Sequence, residues 1–326
     1  MNRVLRFAVI SLIVLLPSCN QQFDPRQEHQ PKLVVFSILS TDRSIQFARV
    51  EQDYMPPDYN PLDHTSDNSV LDATITLRDG GTTYRLADTL LPRSDTSRYK
   101  SAIRGFVLRS FLPVFGKTYE LSATTSLLGN ASASVTIPTK PVLDMGAGAS
   151  AVLDKPLDYA TNAPIGCTIL LSSLARGYLG HLYVYFDVLE GSEWNEGRVE
   201  IPLRFMSPQL KSLEHAVYPQ LTGRPSRNQA SLIFNNELYR AALSSIADSR
   251  FRGKKLIYKW AVFQLTQMEK NLFNYYNTVH SFRDAHTIRL DEPVYSNISG
   301  GYGLVGAYTL DSLVHVLPEN FSFNNY

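Results

Sequence analysis

Cys19 is the residue whose chemistry the sequence states most directly. It follows Leu16-Pro17-Ser18, which closes a run from Phe7 to Leu16 that is apolar except for Ser11 and is preceded by Arg3 and Arg6. A basic start, a short apolar stretch and a small residue before the cut mark a secretory signal peptide. Crossing a bilayer core takes about 20 apolar residues, more than this run offers. Cleavage before a cysteine leaves it at the new N-terminus, where its thiol sulfur carries a diacylglycerol as a thioether. Two acyl chains hold a protein stably on a membrane where one does so marginally. Lipid on Cys19 is therefore expected to anchor the chain, with residues 1–18 as signal peptide and 19–31 as a polar, flexible tether.

Other reactive residue types lack the spacing that chemistry requires. None of the seven histidines shares a His-Glu-x-x-His zinc pattern with another, and no Gly-x-Ser-x-Gly nucleophile elbow is present. Gly301, Gly303 and Gly306 spell a dinucleotide fingerprint, but no strand-helix-strand context follows them, so they read as backbone geometry in a strand. No cofactor and no metal are expected. Cys167 lies in the apolar run Ile165 to Leu171 and reads as a buried, inert thiol. With a net charge of +1 and mixed signs along the chain, no nucleic-acid footprint exists.

Binding chemistry is better represented than catalysis. The Pro-rich stretch Asp53 to Asn68 holds Tyr54 and Tyr59 among four aspartates, and a loop with aromatic rings commonly binds. The stretch Glu190 to Gly197 sets Trp194 in a connection between two strand candidates, and tryptophan is enriched at binding hot spots. Tyr54, Tyr59 and Trp194 are thus the candidate binding residues. Trp260, inside a strand pattern, reads as core.

The elements that must carry these residues are mainly β. Leu33 to Leu39 is rich in Val and Ile, and Ala73 to Arg78 alternates with period two before the turn Asp79-Gly80-Gly81. Tyr119, Leu121 and Ala123 alternate, and Gly129-Asn130 turns the chain into Ala131 to Ile137. Short strands at this spacing predict an antiparallel, immunoglobulin-like sandwich over 32–140. Residues 141–326 predict a second β-rich domain with two helices, near 237–247, capped by Asn235 or Asn236, and near 268–280.

Three motifs carry a family likeness. They are Phe23-Asp24-Pro25 followed by Pro31-Lys32-Leu33-Val34-Val35, the pair Ala73 to Leu77 and Gly116 to Leu121, and the closing stretch Val294 to Tyr308 with its four glycines. Together they resemble a family of uncharacterised Bacteroidetes lipoproteins, a domain of unknown function. The resemblance implies an immunoglobulin-like first domain, a β-rich second one, an envelope location and a role beside TonB-dependent outer-membrane receptors. It supplies no catalytic residues.

The expected function is thus that of a non-enzymatic, lipid-anchored binding or accessory protein of outer-membrane uptake. Its partner would be a TonB-dependent receptor, another envelope protein or a glycan. The alternatives are a structural or adhesive surface lipoprotein and a hydrolase whose site the sequence does not reveal.

Overall fold

The computed structural model describes residues 29–55, 67–97, 99–207, 212–214, 221–222, 229–280, 295–321 and 323. Cys19 and Tyr59 lie outside them. Lys32 to Tyr326 form one compact unit. Its first strands are β1 (Leu33–Ser40), β2 (Ile45–Gln52), β3 (Thr74–Arg78), β4 (Thr83–Arg85), β5 (Ala87–Leu91), β6 (Ile103–Arg109), β7 (Thr118–Thr124) and β8 (Asn130–Thr136). Then come β9 (Val142–Asp144), α1 (Ala147–Asp154), β10 (Pro164–Leu170), β11 (Ala175–Glu190), β12 (Glu193–Glu200), β13 (Arg204–Ser207), β14 (Ser212–Glu214) and β15 (Leu221–Thr222). The chain ends with β16 (Gln229–Asn235), α2 (Asn236–Ser244), β17 (Leu256–Glu269), α3 (Lys270–His280) and β18 (Gly301–Val316). The fold is mainly β, as its alternating patterns predict.

One large sheet runs in the order β12-β11-β17-β18-β1-β2-β6-β5, with β15 also beside β11. Period-two alternation gives it two faces. At the N-terminal half, Leu33, Val35, Ala48, Val50 and Phe106 pack inward against Ile75, Leu77, Tyr119, Leu121 and Val135 of a second sheet, β4-β3-β7-β8. The Tyr119 hydroxyl accepts from the Val114 amide at 2.9 Å, which fastens the β6–β7 loop to that core. At the C-terminal half the inner face, with Tyr178, Leu182, Val184, Phe186 and Phe263, packs on β16-β10-β9 and on α1 and α2.

β18 joins the halves. Its first residues run parallel to β1, from Leu33↔Gly301 to Ser40↔Tyr308, and its remainder runs antiparallel to β17, from Met268↔Tyr308 to Trp260↔Val316. The hydrophobic cores divide near residue 140, yet the sheet is continuous across that division, and Val305 and Ala307 of the last strand belong to the first core. Buried Gln267 strengthens the junction, its Nε2 donating to the Thr139 carbonyl at 2.9 Å.

Both predicted helices are present, and Asn235 is the cap of α2, its Oδ1 accepting from Glu237 N at 2.7 Å. The neighbouring Asn236 is buried and instead donates to the carbonyls of Pro156 and Ala160. Helix α1 was not predicted. Its sequence, AGASAVLD, has small residues, no side-chain cap and a single turn of apolar periodicity, and its helical state follows from packing Ala149, Val152 and Leu153 on the second core.

Glu269 ends β17 and caps α3, accepting from the amides of Asn271 at 2.7 Å and Leu272 at 2.8 Å. Burial pushes its carboxyl above the ordinary 4.5, although those amides pull the other way. In the unfolded chain the group ionises near 4.5, and in the folded protein only at higher pH. Its contribution to stability is therefore full below about 4.5 and is lost as pH rises through the folded value. The melting temperature of wild type relative to Glu269→Gln should fall as pH is raised from 4 toward neutrality; a constant difference would refute this.

Candidate binding face

Helix α3 covers part of the large sheet's outer face. Its Leu272 meets Met268 and Leu304, and Phe273 lies on Gly177, where a Cβ would come within 2.5 Å of the ring. Beyond the helix, β11 turns His181, Tyr183, Tyr185, Asp187 and Leu189 outward while Leu182, Val184, Phe186 and Val188 point into the core. The neighbouring strands set Glu200, Arg198, Glu196 and Trp194 on one side, and Gln264, Val262 and Trp260 on the other. Val314 and Val316 of β18 continue the same face and are largely exposed.

Trp260 is on this face by alternation with buried Ala261, Phe263 and Leu265, and a β-bulge follows it toward the start of the strand. Tyr185 pairs with Trp260 but Phe186 pairs with Tyr258, leaving Lys259 without an opposite residue. The extra residue reverses the alternation there, so Tyr258, two residues before Trp260, turns into the core instead of outward. The expectation that Trp260 is core is corrected accordingly: the ring is half-buried and lies 6.0 Å from that of Tyr185.

The rings are held by charge. His181 stacks on Tyr183 at 5.5 Å and its Nδ1 meets Glu200 at 2.8 Å. The Arg198 guanidinium lies 4.8 Å from the Tyr183 ring centre and donates to the Tyr185 hydroxyl at 3.4 Å. The Lys259 ammonium sits 4.3 Å from the Trp260 ring centre and bridges Asp187 at 3.3 Å and Glu196 at 3.2 Å. Against a downward push from desolvation, those two carboxylates hold the Lys259 ammonium above its ordinary range. Such cation–π contacts add a modest attraction that favours one ring orientation. The result is a row of aromatic side chains with fixed orientations, bordered by acids and bases in balance.

Trp194 sits one pair from the end of the β11–β12 hairpin, opposite Leu189. The sequence suggests a longer connection, but both strands extend to a two-residue turn at Gly191-Ser192, with Gly191 at φ +65°. Its ring is 44% exposed, 5.7 Å from the Lys255 ammonium.

Tyr54 is elsewhere. It follows β2 and lines a cavity of about 390 Å³ with Arg49, Glu51, Asp53, Asp67 and Tyr99. Arg93 pairs with Asp67 at 2.9 Å and faces the Tyr99 ring at 5.1 Å. Burial pushes the Asp67 carboxyl up, but bonds from Ser69 and the charges of Arg49 and Arg93 hold it below the usual range. The cations already in the cavity thus satisfy this acid. Five strand intervals separate β2 from β12, roughly 24 Å across the sheet, so Tyr54 and Trp194 do not share a site.

Tyr183, Tyr185 and Arg198 are residues that sequence reasoning missed. The signal was present in His181-Leu182-Tyr183-Val184-Tyr185-Phe186-Asp187-Val188, whose alternation separates a purely apolar face from one that carries His, Tyr and Asp. What the string does not carry is the identity of the strands on either side.

The face offers stacking and hydrogen bonding, not a catalytic constellation. Among the described residues no group of three His, Cys, Asp or Glu side chains is arranged to hold a metal ion. Cys167 is buried, with its thiol pushed up to about 11 by desolvation, which makes it a poor nucleophile. Among the described residues no helix is long and apolar enough to cross a membrane. No protein-family model matches the sequence, and no curated protein shows significant similarity to it.

Proposed function

We propose that the protein is an envelope lipoprotein, held by lipid on Cys19, whose outer sheet face binds a glycan as a non-enzymatic accessory of outer-membrane uptake. The observation that carries this reading is the row His181–Tyr183–Tyr185–Trp260. Flat rings stack against the C–H faces of pyranoses, and each ring here has a hydrogen-bonding neighbour to meet a hydroxyl. Asp187, Glu196 and Glu200 oppose Arg198, Lys259 and Lys255, so the face favours a neutral, polyhydroxylated ligand over a polyanion. A TonB-dependent receptor would then take the glycan onward. A second reading, direct docking of such a receptor or another envelope protein, draws on the exposed Val314, Val316 and Ile257 at the margin.

Binding to a panel of neutral polysaccharides by affinity electrophoresis tests the first reading. Trp260→Ala and Tyr185→Ala should each weaken retention about tenfold or more, as loss of a hot-spot ring costs about 2 kcal/mol. Both side chains lie on the outer face and outside the hydrophobic core, so melting temperature should change less than retention does. Retention that survives both substitutions, or no retention of any glycan by wild type, would reject the assignment.

A further inference from the structure

The end of the first sandwich where the chain enters it carries apolar side chains that no core requires. The entry is rigid: Lys32 N donates to the Asp53 carboxylate at 2.6 Å, and Asp53 N donates back to the Lys32 carbonyl at 3.0 Å. Gln52 N bonds the Asn68 carbonyl at 3.0 Å, which brings the segment 67–72 to the same end. Leu71 in that segment is 72% exposed and Leu127, in the β7–β8 turn, is 89% exposed. The two turns are tied together, because the Asp72 carboxylate accepts from the Ser126 amide at 2.7 Å. Both leucines line one cavity of about 410 Å³, with Val70 and Leu128. Leu90, near the end of β5, is also exposed here, and Arg104 links the two regions through the Leu71 carbonyl at 3.1 Å and Asp88.

We infer that this end of the sandwich lies against the membrane, with Leu71 and Leu127 seated in the lipid interface beside the anchor. The inference rests on the proposed lipidation of Cys19. Thirteen residues, Cys19 to Pro31, separate the anchor from this end, and a chain of that length reaches at most about 45 Å even fully extended. Lys32, where it ends, is at the end that bears the leucines. Its ammonium lies 5.2 Å from the ring centre of Tyr302 and 3.4 Å from that hydroxyl, a lysine–tyrosine pair of the kind that settles at a membrane–water boundary. The opposite end also exposes Leu112, Val114 and Phe115. It lies a further eight-residue strand away, roughly 25 Å, so reaching the membrane with it would stretch the tether along the whole sandwich.

The lipidated protein, purified from membranes, offers a direct test. Cys167 is buried and Cys19 carries lipid, so an environment-sensitive dye attaches selectively to an introduced Leu127→Cys or Val114→Cys. On vesicles of phosphatidylethanolamine and phosphatidylglycerol, both proteins should float with lipid. The dye at position 127 should brighten several-fold and shift to the blue, while the dye at position 114 should not change. Flotation with an unchanged signal at 127, or with the change at 114 instead, overturns the orientation and leaves the anchor standing. Failure to float overturns both.

Discussion

A Gly303→Val protein is expected not to accumulate in folded form. Gly303 has φ +115°, a conformation that L side chains rarely adopt, and it faces β1 so closely that a Cβ would sit 2.1 Å from the Val35 carbonyl oxygen and 2.8 Å from its carbon. The obstacle is backbone, which cannot swing aside as a side chain can. Local strain of this type costs about 1–3 kcal/mol, and overpacking adds a comparable amount. The total, roughly 2–6 kcal/mol, is a large part of the 5–15 kcal/mol that typically holds a domain together. Gly166→Ala is the control, since a Cβ there meets nothing within 4 Å and φ is ordinary; it should change stability by about 0.5 kcal/mol or less. Soluble yield and thermal melting of the two variants read the difference. A Gly303→Val protein that melts like wild type would show that β1 and β18 do not pair as described.

Cys19→Ala should abolish membrane attachment altogether. The apolar run Phe7 to Leu16 is too short to span a bilayer, and among the described residues no helix can do so. Two leucines at the tether end add to an anchor but do not replace one, as even a single acyl chain binds marginally. Fractionation of cells should move the variant from the membrane pellet to the soluble fraction or leave it unprocessed, and a fatty-acid probe should label wild type alone. Continued labelling of Cys19→Ala would place the lipid on another residue and remove the reason for reading residues 19–31 as a tether.

Alternation made the fold class legible. Ala73 to Arg78 and the turn at Gly80 appear as β3 leading into β4, and Leu238, Ala242 and Leu243 face the core from α2 at helical spacing. The glycine-rich ending was legible as backbone geometry, though not as the strand that completes a sheet begun at Leu33. Pairing between distant segments leaves no trace in local periodicity. The same limit hid the binding face. Trp194 is conspicuous by itself as a tryptophan near a turn, whereas Trp260 reads as core only from lying inside a strand pattern, which does not say which face of the strand it takes. Asn235 and Asn236 were equivalent as caps in the sequence. Only the carbonyls of Pro156 and Ala160, brought in from a distant segment, separate their roles.

The parallel pairing of β1 with β18 also bears on how the molecule is made. The strand that begins the sandwich finds its neighbour in β18, the last strand among the described residues. Until Gly301 to Tyr308 emerge, one edge of β1 is bare and able to template pairing with another chain. Contacts so far apart in sequence close slowly, because loop entropy is lost before they form. An N-terminal fragment that stops before β18 should therefore aggregate instead of folding as a sandwich. Were the chain exported as proposed, the same delay would keep the first sandwich incomplete while the polypeptide is threaded across a membrane, and the sheet would lock only after β18 had followed.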